Sequence, residues 1–287
     1  MCEVREVFTV ITYNLWKTNG IPTAWDIRAP IVRRQLAKLR PYILLVQELA
    51  PKISLEISKA LPQHAKVIEN VKDEPGWDNE GNIFYDKRRF DCIQTKAFDI
   101  GQKEKDRRLF VSVLRCRETS INIIVSTAHF TWQGHKSECE SSINVRKEQA
   151  TRASDTLLKF SASLPYSSPI LFGGDLNESF WPKRIFESKG FKDCFETLGL
   201  PVRPTHPTRP SLAHEERNAD AALDWLFFWN PAETPQLRVL LSSVIKDMRG
   251  LSSDDSDEKR LLAVQPSDHM PVMSVFRLVS QKKVASQ

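Results

Sequence analysis

Long apolar runs are missing from this sequence. A membrane-spanning helix needs about 18 uninterrupted apolar residues, and the longest candidate, residues 43–46, is far shorter. The first six residues mix acidic and basic side chains, whereas a signal peptide has a basic start followed by an apolar core. We therefore expect neither stable membrane insertion nor secretion, and we expect a cytoplasmic or nuclear protein.

Closely spaced cysteine pairs are also missing. The five cysteines are odd in number, lie far apart and form no CxxC motif; they are Cys2, Cys92, Cys116, Cys139 and Cys194. Neither a disulfide framework nor a zinc site is indicated, and a reducing compartment fits best. A strong charge excess is missing as well, because the net charge is only +5 and is spread along the chain. Charge alone therefore favours a polyanionic partner only mildly.

The composition that is present is typical of a folded protein. Hydrophobic residues make up 41% and charged residues 27% of the 287 residues. No linker, composition break or repeat divides the sequence, although residues 252–260 are a polar run of loop composition. We expect a single domain over residues 1–280 and a frayed tail over 281–287, which lacks apolar anchors.

Patterns typical of strands and helices alternate along the chain, which predicts a mixed α/β fold. Four successive β-like runs between residues 81 and 129 suggest an antiparallel meander. Helical spacing predicts helices over residues 26–39, 144–160 and 181–188. Strands are predicted at residues 7–14, 42–46, 81–85, 90–98, 109–116, 121–129, 170–172, 222–229, 236–245 and 271–278.

Polar and ionisable residues recur at the ends of the predicted strands. They are Asn14, Glu48, His129, Asp175 with Asn177, Asp224, and Asp268 with His269. Taken singly, such residues are explained equally well as turn formers or helix caps. Taken together they indicate a site, since strand ends gather functional groups in open sheets. Oxygen ligands without cysteine suit a hard cation, Mg²⁺ or Mn²⁺, and disfavour zinc.

Seven short blocks carry a family resemblance. They are TYNLW (residues 12–16), LVQEL (45–49), GNIFYDKRRF (81–90), STAHF (126–130), GGDLNES (173–179), LDWLFF (223–228) and SDHMPV (267–272). In this order they resemble the endonuclease/exonuclease/phosphatase superfamily, a magnesium-dependent group with a DNase I-like fold. The resemblance runs from about Thr9 to Phe276. It implies a four-layer α/β sandwich, with two packed mixed β-sheets flanked by helices.

The resemblance also implies roles for the metal and water side of the site. Asn14 and Glu48 are similar to the family's metal-binding pair, with Glu48 as a direct ligand. Asp268 corresponds to a residue beside the metal, either a ligand through water or a ligand of a second ion. Asp175 resembles the residue that orients or deprotonates the attacking water, and Asn177 one that hydrogen-bonds the phosphate or that water. A surface salt bridge for Glu48 and an Asp-x-Asn turn are the competing interpretations.

Three further residues match the family's phosphate side. His269 resembles the histidine that stabilises charge growing on the phosphoryl oxygens, and Asp224 would hold the other ring nitrogen. His129 resembles a histidine that contacts the phosphate, with an ordinary strand-end histidine as the alternative. The implied reaction is hydrolysis of a phosphoester bond by an activated water.

The substrate class is inferred from positions at which this sequence differs from particular branches of the family. Residues 218–225 lack the block typical of inositol-polyphosphate 5-phosphatases, and His129 stands where abasic-site endonucleases favour tyrosine. The pattern is more similar to deadenylases, nocturnin and Angel proteins, or to sphingomyelinases. The lack of a membrane segment and the small basic excess favour single-stranded RNA or a nucleotide. The alternatives are a sphingomyelinase-like or phosphoinositide phosphodiesterase or phosphatase, a DNA endonuclease and, least favoured, a non-catalytic binding protein.

Several tryptophans fall in or beside the loops at the predicted strand ends. They are equally well interpreted as base-stacking residues or as core residues: Trp16, Trp25, Trp77, Trp132 and Trp181. His206 lies in a Pro-rich segment, where an ordinary turn is the favoured interpretation. Arg107 precedes a predicted strand and is compatible with either phosphate binding or a solvated turn.

Overall fold

Two six-stranded β-sheets form the centre of the structure, a computed structural model that describes residues 3–17, 25–68, 76–104, 106–141, 143–206, 221–233, 235–246 and 266–281. Sheet A has the strand order β11-β12-β1-β2-β4-β3. Its strands are β1 (Glu3–Asn14), β2 (Ile43–Gln47), β3 (His64–Lys66), β4 (Gly81–Asp86), β11 (Gln236–Val244) and β12 (Val272–Gln281). Of the neighbouring strand pairs in sheet A, only β1 and β2 are parallel, and the others are antiparallel.

Sheet B repeats this plan with the order β5-β6-β7-β8-β10-β9. Its strands are β5 (Phe90–Phe98), β6 (Leu109–Cys116), β7 (Asn122–His129), β8 (Ile170–Asp175), β9 (Lys192–Asp193) and β10 (Asp224–Trp229). Here β7 and β8 are the parallel pair. Both sheets are therefore mixed, each with a parallel pair at its centre.

Helices cover the outer faces of both sheets, except that the buried residues of the short helix Cys194–Thr197 belong to the cluster between the sheets. The helices are α1 (Trp25–Leu39), α2 (Pro51–Ala60), α3 (Lys136–Ser141), α4 (Val145–Ala162), α5 (Trp181–Ser188) and α6 (Cys194–Thr197). Leu36 of α1 and Ile53 of α2 share a buried cluster with sheet A, and Leu157 of α4 and Phe186 of α5 share one with sheet B. No helix in the described part of the chain has the length and apolar character needed to cross a membrane.

Strand β2 illustrates why the layers form. All five of its residues are buried. Because successive side chains of a strand point to opposite faces, Ile43 and Leu45 enter the cluster between the sheets, and Leu44 and Val46 enter the cluster under the helices. A nearly continuous apolar run is what a strand buried on both faces requires. The predicted four-layer α/β sandwich of two packed mixed sheets is confirmed.

Two features bring the sheets together near the strand ends. Gly173 of β8 faces sheet A, and an added Cβ would lie 2.6 to 3.1 Å from side-chain atoms of Leu226, Leu45 and Thr12. Glycine therefore permits the close approach of the layers. Gln47 of β2 crosses the gap and donates to Thr12 Oγ1 at 3.0 Å and to Thr127 Oγ1 at 2.7 Å. This contact joins sheet A to sheet B.

The predicted meander of four strands is wrong in one respect. Strand β4 pairs with β2 and β3 in sheet A, and only β5, β6 and β7 form a meander in sheet B. The three-residue turn after Asp86 carries the chain from one sheet to the other, and periodicity within a strand does not specify its sheet. Helices α2, α3 and α6 and strands β3 and β9 were not predicted. Strand β12 continues to Gln281, and residues 252–260 and 282–287 lie outside the described residues.

Candidate active site

Strand register brings most of the predicted site residues to one edge of each sheet, which we call the polar edge. In sheet B, Asp175 of β8 pairs with His129 of β7 on one side and with Asp224 of β10 on the other. In sheet A, Asn14 at the end of β1 pairs with Gln47 at the end of β2. Strands that run in parallel end at the same edge, and antiparallel strands begin there. The polar edge therefore collects both strand ends and strand starts.

Asn14 joins the two halves of the site. Its fully buried amide nitrogen donates to Glu48 Oε1 at 3.1 Å and to Asp175 Oδ2 at 2.9 Å. Glu48 has a left-handed backbone with φ of 53°, which is uncommon for a residue other than glycine and places its side chain back toward the site. The second oxygen of Glu48 accepts from the backbone N–H of Lys17 at 2.8 Å.

Asp175 lies at the centre of the polar edge. One of its oxygens is 3.3 Å from His129 Nε2 and 3.7 Å from His269 Nε2. The other oxygen accepts from the backbone N–H of Asn177 at 2.8 Å. Burial alone raises the pKa of Asp175, but the positive charges of His269 and His129 outweigh burial and hold this pKa below its usual value. Asp175 is therefore a carboxylate kept ionised between two imidazoles.

His269 is held by a second buried carboxylate. Its Nδ1 is 2.8 Å from Asp224 Oδ2, which leaves Nε2 facing Asp175. Burial opposes protonation of His269, but the charges of Asp224 and Asp175 outweigh it and raise the pKa of His269 well above its usual value. Burial also raises the pKa of Asp224, against the influence of His269. The raised pKa favours the imidazolium form of His269, in which one ring N–H is directed at Asp224.

The segment before β12 closes the site. Ser267 Oγ donates to the backbone oxygen of Asn14 at 2.7 Å and accepts from the backbone N–H of His269 at 3.2 Å. This hydroxyl places Asp268 and His269 against the end of β1. All eight predicted residues therefore lie on or directly beside the polar edge.

Comparison with known proteins now identifies the family. Residues 11–269 match the Endonuclease/Exonuclease/phosphatase family. The chain belongs to this family. Members hydrolyse phosphoesters as nucleases and phosphatases, and membership assigns the chain to that broad class. No curated protein matches the sequence.

Solved structures share the fold of this family member. An endonuclease/exonuclease/phosphatase family protein from Bacteroides thetaiotaomicron has a TM-score of 0.72 and 20% identity, covering 96% of this chain and 98% of that one. A mannosyl-6-phosphatase from the same species has a TM-score of 0.70 and 21% identity, with coverages of 94% and 99%. TDP2 from D. rerio, complexed with a single-stranded DNA product, has a TM-score of 0.70 and 16% identity, with coverages of 94% and 98%.

The donor chemistry of the polar edge fits the divalent cation typical of this family. Among the described residues, close sets of potential ligand atoms are His206 with Asp268 and His269, and Asp175 with Asp224 and His269. Asp175 and Asp224 are buried, and His269 Nδ1 is engaged by Asp224 Oδ2 at 2.8 Å. The carboxylates of Glu48 and Asp268 are more accessible, with side chains 23% and 16% exposed. Oxygen donors of this kind suit Mg²⁺ or Mn²⁺.

Two residues at the polar edge were not predicted to belong to the site. His206, interpreted there as part of an ordinary turn, has its ring 4.6 Å from that of His269 and its Nε2 3.8 Å from Asp268 Oδ2. Glu80 precedes β4 and was not singled out. Its Oε1 accepts from Lys17 Nζ at 2.7 Å.

Glu80 connects the two sheets electrostatically. Its buried Oε2 is 3.5 Å from Arg107 Nε and 3.9 Å from His129 Nδ1, and none of these three atoms has a hydrogen-bond partner within the described ranges. Burial opposes ionisation of Glu80, but its interactions with the His129 ring, the hydrogen bond from Lys17 and the charge of Arg107 lower its pKa to about 2. The signal that could have found it is strand direction, since β4 is antiparallel to β2 and begins where β2 ends.

The tryptophans divide between core and surface. Trp77 is 1% exposed and packs against Phe110, with ring centroids 4.7 Å apart, so it is a core residue. Trp16 and Trp25 are partly buried, with the Arg28 guanidinium 4.8 and 5.3 Å from their rings. Trp132 and Trp181 are exposed. Only the last two retain broad solvent-facing surface.

Proposed function

We propose that this chain is a hydrolase that uses a divalent cation and an activated water to break a phosphoester bond in single-stranded RNA or a nucleotide. The observation that carries the proposal is a row in which acids and imidazoles alternate, Asp224, His269, Asp175 and His129, with successive contacts of 2.8, 3.7 and 3.3 Å. Membership of the phosphoesterase family supports it. A buried row that combines acids and imidazoles suits both water activation and binding of phosphate.

Asp175 is the general base of the proposed reaction. Its depressed pKa keeps it ionised at neutral pH, and its central position allows it to orient a water and accept a proton from it. Asn14 directs an N–H at one oxygen of Asp175, which limits rotation of the carboxylate. Asn177 caps the other oxygen through its backbone and donates its side-chain amide to Phe130 O at 3.0 Å. In our proposal its amide also hydrogen-bonds the phosphate or the attacking water.

The two imidazoles act on the phosphate. The raised pKa of His269 favours its protonated form, whose Nε2–H points into the site because Asp224 engages Nδ1. It can therefore donate to a phosphoryl oxygen as negative charge grows there. His129 Nε2 lies between Asp175 and Glu48, at 3.3 and 3.9 Å, and is placed to contact the same phosphate.

Glu48, Asn14 and Asp268 would hold the cation. When bound, a divalent cation neutralises phosphate charge and polarises the phosphoryl group. Asn14 contributes in a second way, since its N–H groups fix the carboxylates of Glu48 and Asp175 relative to each other.

The test is a time course on 5′-labelled single-stranded RNA with an adenosine tail, with Mg²⁺ or Mn²⁺. Asp175→Ala protein and an EDTA-treated sample are the controls, and bis(p-nitrophenyl) phosphate is run as a generic phosphodiester. Stepwise shortening that disappears in both controls supports a ribonuclease with Asp175 as its base.

Two other outcomes separate chemistry from substrate. Hydrolysis of the generic diester without RNA cleavage keeps the chemistry and contradicts RNA as the substrate, which redirects the search to DNA, phospholipids, phosphoinositides and phosphosugars. The mannosyl-6-phosphatase among the structural neighbours makes mannose 6-phosphate the first phosphomonoester to try. Activity that survives in the Asp175→Ala protein contradicts the proposed base.

A further inference from the structure

Three exposed aromatic side chains and a lysine lie beside the polar edge. We call this set, Trp132, Phe180, Trp181 and Lys147, the aromatic platform. The three aromatic residues are 48%, 53% and 43% exposed. Aromatic side chains dominate cores because they have much surface to bury, and a group of them on the surface marks a place of interaction.

The aromatic platform is built on the two strands that carry the central site residues. Trp132 follows His129 by three residues, a distance of at most about 11 Å along an extended chain. Phe180 and Trp181 follow Asp175 by five and six residues. The loops are joined to each other where the Asn177 side chain donates to Phe130 O at 3.0 Å. The platform is therefore a direct extension of the polar edge.

A buried arginine holds both loops in place. Arg146 of α4 is 2% exposed and donates to Thr131 O at 3.3 Å, to Glu138 Oε1 at 2.6 Å and to Glu178 Oε2 at 2.9 Å. Thr131 immediately precedes Trp132, and Glu178 Oε1 accepts from the backbone N–H of Trp181 at 3.3 Å. The aromatic rings are thus presented on ordered backbone, which lowers the entropy lost when a ligand binds.

Cations lie next to the exposed rings. Lys147 Nζ is 3.5 Å from the centroid of the Trp181 ring, and the Arg184 guanidinium is 5.7 Å from that of Phe180. The acids of this region are already engaged, since Glu138 and Glu178 share Arg146. Flat aromatic faces with adjacent cations complement a chain in which flat bases alternate with phosphates. An anionic lipid surface also attracts aromatic rings and cations, so sedimentation with vesicles is one arm of the test.

We propose that the aromatic platform is a stacking subsite for the bases next to the scissile phosphate of a single-stranded nucleic acid. The proposal rests on the proposed function and narrows its substrate class from any nucleotide to a polynucleotide strand. Trp132 and Trp181 stack on bases, and Lys147 and Arg184 contact the adjoining phosphates.

The test compares a long and a small substrate. Trp132→Ala, Trp181→Ala and the double variant are assayed on a ten-nucleotide single-stranded RNA and on bis(p-nitrophenyl) phosphate. Each single change should raise KM for the RNA about 10-fold, the range expected for loss of one stacked base, and leave kcat/KM for the small diester unchanged. Trp181→Phe, which keeps an aromatic face, should restore most of the RNA affinity.

The control variant is Ile93→Ala. Ile93 is 50% exposed and lies nearer the end of β5 that is remote from the polar edge, because Phe98 is the residue of β5 that pairs with Leu109 at that edge. It should behave as wild type on both substrates. Equal losses on both substrates, or an unchanged KM for RNA, would overturn the proposal.

A binding assay separates this proposal from the proposed function. Quenching of tryptophan fluorescence by a single-stranded DNA decanucleotide is measured in EDTA, where turnover is not needed. Wild-type protein should bind, and the tryptophan variants should bind about 10-fold more weakly. If no substrate is hydrolysed, the proposed function fails and this assay still decides the platform. The proposal is contradicted if the tryptophan substitutions abolish sedimentation with phosphatidylserine vesicles but leave oligonucleotide binding unchanged.

Discussion

Sheet A and sheet B contribute different kinds of groups to the same polar edge. Sheet B supplies His129, Asp175 and Asp224, whose side chains are 4%, 1% and 0% exposed. On the side of sheet A are Glu48, after β2, and Asp268, before β12, at 23% and 16% exposed. One half of the site is closed and the other is open to solvent.

The difference follows from how each half balances its charge. Along sheet B, with His269 included, acids and imidazoles alternate, so each buried carboxylate has an imidazole within 4 Å. Burial of charge is tolerable only when charges are paired in this way. Glu48 and Asp268 also have an imidazole within 4 Å, His129 at 3.9 Å and His206 at 3.8 Å, but their side chains are partly exposed, where a small cation from solvent can reach them. The open half is therefore suited to a metal and the closed half to proton transfer.

Removal of a charge from the open half should have the largest effect. Glu48→Gln keeps the side-chain size and loses a charged ligand, so we expect turnover at fixed Mg²⁺ to fall roughly 10²- to 10³-fold and the Mg²⁺ midpoint to rise. A metal titration of the activity measures both. Glu56→Gln, on the neighbouring helix α2 and paired with Arg33, is the matched control. An unchanged Mg²⁺ midpoint would exclude Glu48 as a ligand.

In the closed half, Asp224 and His269 should act as one unit. Asp224→Asn removes the charge that sustains the imidazolium, so we expect roughly a 100-fold loss of turnover. His269 must be protonated to donate, and a lower pKa of His269 means that it loses this proton at lower pH. The alkaline limb of the pH–rate profile should therefore move to lower pH in Asp224→Asn.

A double-mutant cycle tests the coupling directly. His269→Ala and Asp224→Asn are combined and kcat/KM is measured for each variant. The double variant should be little worse than His269→Ala alone, because Asp224 acts through the ring that is already absent. Fully additive losses would show that the two residues act independently.

The predictable part of this structure is the part governed by local pattern. Strand β2 can be predicted because a strand buried on both faces is a continuous apolar run. Its end can be predicted because Gln47 and Glu48 interrupt that run. Asn14, His129 and Asp175 follow the same rule. The positions of Asp268 and His269 came from the resemblance, since the turn around Ser267 has no periodicity of its own.

The features that could not be predicted depend on contacts between residues far apart in the sequence. The sheet to which β4 belongs is decided by pairing with β2, which is far away in sequence. Glu80 shows the consequence, because a charged residue before a strand is ordinarily part of a solvated turn. It reaches the site only because β4 runs antiparallel to β2. His206 likewise reaches it through the backbone pairing of residues 206 and 221.

Glu80 offers the subtlest way to test the contrast between the two halves, because it contacts both. Its Oε1 binds Lys17 from the sheet A side, and its Oε2 faces Arg107 and His129 on the sheet B side. We expect Glu80 to be a positioning residue that orients His129 through Nδ1. Glu80→Gln should lower kcat about 10-fold, as loss of an orienting partner typically does, with little change in KM for bis(p-nitrophenyl) phosphate.

The matched control for Glu80→Gln is Glu104→Gln, because Glu104 also contacts Arg107, at 3.2 Å, but is not a contact of His129. Histidine ¹⁵N NMR should report a changed state of His129 Nδ1 in the Glu80 variant alone.

Acid unfolding gives an independent check of the role of Glu80. A carboxyl whose pKa falls from 4.5 to about 2 on folding stabilises the fold fully above pH 4.5, and this contribution is lost as pH falls toward 2. Glu80→Gln should reduce the pH dependence of the unfolding free energy between pH 4.5 and 2. If both this dependence and kcat are unaltered, Glu80 neither stabilises the fold nor positions His129.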